Sequence, residues 1–220
     1  MRTGRHALCK VITLAVSLGL GNLMATANTN AGEAPPPGAK VVHAPQRKEG
    51  SWWQLKMWGA DFGEVTVVER VKPEKEERFT IQRGNSEFTF SNGSHLLVGH
   101  NSDAGVWIKY FPGLPPYVFP FWEGKMWSGR VDRNTEGRFS YLDRSVAVRL
   151  EFKQWERIQV PSGQLHFYAL RIEVTYGDSK ATCWYAEEAQ HLVRCISPDI
   201  GDPWYNFDLT AFYIAREGAQ

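Results

Sequence analysis

The sequence predicts an all-β fold, an antiparallel β-sandwich or half-open barrel, and three observations predict it. Apolar residues recur with a period of two over most of the chain after Ser51. Turn-forming residues separate these runs, and no stretch carries the 3.6-residue periodicity of a three-turn helix. The predicted domain is residues 51–220, and what precedes it reads differently.

Residues 1–27 have the pattern of an export signal. Arg2, Arg5 and Lys10 give a positive start, the apolar run Val11 to Leu20 follows, and Ala25-Thr26-Ala27 supplies small residues at a cleavage site. The run falls short of the ~20 apolar residues that a membrane-spanning helix needs. Cleavage is expected after Ala27, with Ala31 as the alternative site. Residues 28–50, with Pro35-Pro36-Pro37-Gly38 and few apolar side chains, are expected to form a flexible linker, because they bury too little surface to offset their ordering entropy.

Within the domain the alternation is explicit. Phe79 and Ile81 alternate with Thr80 and Gln82, and Val148, Leu150 and Phe152 with Arg149, Glu151 and Lys153. Leu170, Ile172, Val174 and Tyr176 alternate with Arg171, Glu173 and Thr175. Phe207, Leu209, Ala211 and Tyr213 alternate with Asp208, Thr210 and Phe212. Such a pattern puts apolar side chains on one sheet face and polar ones on the other. Gly84-Asn85, Asn92-Gly93, Pro161-Ser162-Gly163 and Gly177-Asp178 mark turns between strands. Pro112-Gly113-Leu114-Pro115-Pro116 interrupts the pattern as a loop, since proline donates no ladder hydrogen bond. It leads into Val118-Phe119-Pro120-Phe121-Trp122, an apolar segment expected to be buried or to form a binding lip.

Cys183 and Cys195 are the cysteines that remain after signal removal. If residues 180–186 and 190–196 form a hairpin centred on Ala189, the two face each other across the ladder, within reach of a disulfide. Export would place them in an oxidising compartment.

Three segments together resemble a group of uncharacterised bacterial exported β-rich proteins. Phe119-Pro120-Phe121-Trp122-Glu123-Gly124-Lys125-Met126-Trp127 resembles the group's F-P-L-x-x-G-x-x-W element, with Phe121 in place of Leu. Val160-Pro161-Ser162-Gly163-Gln164-Leu165 is similar to V-P-A-G-x-F, and Trp184-Tyr185-Ala186 matches W-Y-A, with Val193-Arg194 following where the group has V-K. The resemblance covers residues 105–197 and implies a β-rich envelope domain, without an activity.

Composition narrows the partners. Without Arg2, Arg5 and Lys10 the 25 basic residues become 22, against 24 acidic ones, so no basic surface favours a nucleic-acid partner. No later segment is long and apolar enough to be a second membrane helix, so the chain is not expected to span a membrane once its signal is gone. His43, His95, His100, His166 and His191 form no local cluster of ligands, so neither a metal nor another cofactor is expected. Gly-x-Ser-x-Gly is absent, and the many scattered carboxylates single out no catalytic pair. Catalytic residues are therefore not assigned.

The informative excess is aromatic: nine Trp, twelve Phe and eight Tyr, all at or after Trp52. Such rings serve a core, or stack on sugars, acyl chains and protein partners. We expect an exported, non-catalytic envelope protein, in the periplasm or outside the cell, that binds an apolar small ligand or another envelope protein. The residues expected to make that contact are Trp107, Tyr117, Phe119, Phe121, Trp122 and Trp127. The alternatives are a carbohydrate- or ester-cleaving hydrolase and a structural accessory subunit of an envelope assembly.

Overall fold

A computed structural model of the protein describes residues 34–59, 63–72, 78–92, 94–101, 107–136, 141–198 and 206–216. The expected export signal and residues 28–33 lie outside the described residues.

The alternating runs become twelve antiparallel strands: β1 (Trp52–Gly59), β2 (Gly63–Val71), β3 (Arg78–Arg83), β4 (Ser86–Ser91), β5 (Leu97–Asn101), β6 (Trp107–Leu114), β7 (Met126–Glu136), β8 (Tyr141–Val160), β9 (Leu165–Tyr176), β10 (Ser179–Ala186), β11 (His191–Ile196) and β12 (Asn206–Tyr213). Each strand pairs with its neighbour in sequence, and β1 pairs with β12, so the sheet closes on itself. The sandwich and the half-open barrel of the sequence reading thus give way to a closed barrel. Alternation fixes which side chains face the core but not whether the first and last strands meet. Closure leaves no unpaired sheet edge to recruit another chain.

Inward positions follow the register. Leu55 lies opposite Leu209 and Val67, Phe152 opposite Ile172, and Cys183 opposite Cys195. Leu55, Leu150, Leu170, Ile172 and Leu209 are fully buried, each contributing about 1.5–3 kcal/mol of transfer free energy. Two bulges shift the expected phase. In β12 an extra residue opposite Gln54 and Leu55 sends Phe212 inward against Phe167 and leaves Tyr213 exposed, the reverse of a strict alternation. In β8 the bulge lies between Phe152 and Trp155.

The outer face is charged. The register sets Glu151 opposite Glu173, and Arg149 pairs with Glu151 and Arg171 with Glu173 on their own strands, at 2.9 and 3.3 Å. A hydrogen bond from Lys153 holds the Glu151 carboxyl below its ordinary range.

The cysteine expectation holds. Cys183 and Cys195 are disulfide-bonded, fully buried and directly paired, with Cα atoms 4.1 Å apart. The connecting turn is Glu187 to Gln190, as the hairpin reading required.

Within the expected linker, residues 40–47 contact the barrel. Val42 exchanges backbone hydrogen bonds with Phe121 at 2.8 and 3.0 Å, and both Val42 and Arg47 are buried. Composition underestimated this segment because two side chains and one β-bridge anchor it, rather than a broad apolar face.

Candidate functional site

The segment between β6 and β7 folds inward and divides the barrel interior. Phe119 stacks on Phe121, and Phe121 on the inward-facing Phe152, with ring centroids 4.9 and 4.8 Å apart. Tyr185 meets Tyr117, Phe119 and Phe121 edge-on. This fills the interior beside β8, β9 and β10. Opposite it, toward β2 through β6, a cavity of about 170 Å³ remains. For scale, an engineered apolar cavity of ~150 Å³ accepts benzene.

Much of its wall is apolar, built from inward positions such as Leu55, Met57, Ile81, Phe88, Leu114 and Phe207. A polar cluster interrupts it. Glu69 on β2 is buried and lies in register with Arg83 on β3. Its Oε1 accepts from Arg83 Nε at 2.8 Å and also from Arg83 Nη2, and its Oε2 lies 3.0 Å from His191 Nε2. The other ring nitrogen of His191, Nδ1, faces the Leu192 carbonyl at 2.7 Å. Burial alone would push the Glu69 carboxyl up, but the Arg83 guanidinium and the His191 ring outweigh it and hold Glu69 well below the usual carboxylate range.

A second layer stands behind this wall. Tyr117 lines the cavity, and its hydroxyl accepts a 2.7 Å hydrogen bond from Arg47 Nη2. Burial raises the Tyr117 phenol above its ordinary range, opposed by the Arg47 charge. Arg47 itself lies over the Trp53 ring at 4.9 Å. His95, packed edge-on to Phe79 and Phe119, has its pKa lowered to about 3 by burial and then by the Arg47 charge.

A histidine oriented by a carboxylate is half of a nucleophile-activating relay. Here both His191 nitrogens face protein acceptors, which leaves neither directed at a substrate proton. Cys183 and Cys195 are joined to each other, and among the described residues no group of three metal-binding side chains forms.

The six aromatic residues expected to make the contact do not converge on one surface. Tyr117 borders the cavity. Phe119 and Phe121 belong to the packed side of the interior, and Trp122 and Trp127 are buried away from solvent. Trp107 points outward on β6, 41 % exposed, with Phe111 on the same strand face at 65 %. Sequence reasoning missed Glu69, Arg83 and His191. For the first two a signal existed: Glu69 occupies the inward phase of Val67-Glu69-Val71, and Arg83 that of Phe79-Ile81-Arg83. A charge in an apolar register is costly unless paired, and so marks a built site.

No family model matches the chain, and neither a curated protein nor a solved structure gives a match.

Proposed function

We propose that this chain is an exported, non-catalytic envelope protein that binds a small apolar ligand inside its barrel. The carrying observation is the cavity: apolar over much of its wall, with a paired charge cluster on one side. Ligand sites commonly combine an apolar lining with a few placed polar groups. At about 170 Å³ the cavity suits one ring or a short acyl chain. The buried disulfide supports export to an oxidising compartment, and the charged outer face supports a barrel that does not span a bilayer, where an apolar outer band is needed. The hydrolase alternative is disfavoured by the engagement of Glu69 and His191 with each other and with Arg83.

A protein partner is a second reading, favoured by Trp107 and Phe111, both exposed on the outer face of β6 with Lys109 between them. Native mass spectrometry of protein purified from its own envelope separates the two. The cavity reading expects a small molecule released on denaturation, and its loss in Ile81→Trp, which fills the cavity. Retention of a protein partner by native chain and Ile81→Trp alike, with no small molecule in either, would contradict it.

A further inference from the structure

We infer that the cavity selects a ligand with a carboxylate at one end and a small apolar body at the other. This rests on the cavity being a ligand site, and it follows from how Glu69, Arg83 and Tyr117 are engaged at its wall. Both oxygens of Glu69 are taken, Oε1 by Arg83 and Oε2 by His191, so the cluster offers no free acceptor. The donors are not exhausted. The Tyr117 oxygen receives Arg47, which leaves the hydroxyl proton to give, and the structure provides it no acceptor among the described residues. Arg83 commits Nε and Nη2 to Glu69, and Nη1 makes no hydrogen bond with a described residue.

The charge balance points the same way. Arg47 is 6 % exposed, yet among the described residues its Nε and Nη1 have no hydrogen-bond partner and no carboxylate pairs with it. Its compensation is one phenol and the faces of Trp53 and Phe79, at 4.9 and 5.9 Å. A buried cation so weakly compensated is costly, and a nearby anion would relieve it. Through its bond to the Tyr117 oxygen, Arg47 also polarises the phenol and strengthens it as a donor. An ammonium ligand would meet the Arg83 guanidinium, with the Arg47 charge behind Tyr117, and would find both Glu69 oxygens already engaged. A purely hydrocarbon ligand would leave the Tyr117 proton unsatisfied.

The test uses the full processed chain at neutral pH and three probes of similar size: benzoate, toluene and benzylamine, titrated by calorimetry. Benzoate is expected to bind about tenfold or more tightly than toluene, the range for a hydrogen bond to a charged group, and benzylamine not to bind. Tyr117→Phe is expected to weaken benzoate by about tenfold and to leave toluene unchanged. Toluene binding as tightly as benzoate in the native chain would overturn the carboxylate selectivity while leaving the cavity a ligand site. No binding of any probe would overturn the cavity reading itself. The comparison of probes in the native chain needs no variant, so a Tyr117→Phe protein that failed to fold would leave the test intact.

Discussion

The two sides of the barrel interior are built from the same alternating pattern and end in different states. Beside β8, β9 and β10, residues 115–122 fold in, and Phe121, Phe152, Leu170 and Tyr185 are at most 1 % exposed. The side beside β2 to β5 is less completely filled. Phe88, Phe90 and Leu97 stay half-buried around the cavity. The strands differ too: β8 runs for 20 residues and β9 for 12, whereas β3 and β4 have 6 each and β5 has 5. A twelve-stranded barrel is wider than the eight-stranded kind that side chains alone can fill. Here one inserted segment fills part of that width, and the charge cluster occupies the less filled side.

That difference can be broken from either side. Phe121→Ala removes a fully buried ring and should cost about 3–5 kcal/mol, whereas Phe88→Ala on the cavity side should cost about half as much, both read from urea denaturation. Equal costs would mean the two sides are packed alike. Glu69→Gln leaves Arg83 and His191 without their carboxylate and should cost about 3 kcal/mol, so the open side depends on its ion cluster as the filled side depends on its rings. Replacing both Cys183 and Cys195 with Ala should cost on the order of 2–3 kcal/mol relative to the disulfide-bonded chain, with the reduced native chain as the control that separates the bond from the packing.

The pH dependence sharpens the comparison further. His95 has its pKa lowered to about 3, from an ordinary 6.5. Between those values the unfolded chain binds a proton that the native ring does not. Stability therefore falls as pH drops from 6.5 toward 3, by up to ~1.4 kcal/mol per unit. Glu69 acts in a lower window. Its depressed carboxyl stabilises the fold above the ordinary 4.5, and that contribution is lost as pH falls below it. His95→Asn, which tolerates the left-handed backbone at φ 52, should flatten the urea-midpoint profile between pH 6.5 and 4.5 and leave below it a shallower limb, that of Glu69. The smallest effect belongs outside: Arg149→Ala removes an exposed pair with Glu151 and should change stability by less than about 1 kcal/mol.

Much of the fold was legible in the sequence, because a period of two, turn residues and one cysteine spacing report directly on strands and on a hairpin register. Closure was not legible. The meeting of Trp52 with Tyr213 is a contact between the ends of the domain, and no local pattern encodes it. The bulge opposite Gln54 was also hidden, because nothing in Asp208 to Tyr213 signals that an extra residue will reverse the last inward position. The site was half legible. Abundant rings suggested an aromatic binding surface, but Phe119, Phe121, Trp122 and Trp127 are buried. Composition counts rings without saying which way they face. Glu69 and Arg83 were better clues, as charges in apolar phase, and only their register showed that they meet.

The central claim is that the unfilled side of this barrel admits a small apolar body. Diffraction from crystals of the protein equilibrated with xenon tests it most directly. The account predicts xenon bound between Leu55, Ile81, Phe88 and Leu114 in the native chain and none there in Ile81→Trp. Xenon absent from that cavity, or found only against Trp107 and Phe111 on the outer face, would contradict it.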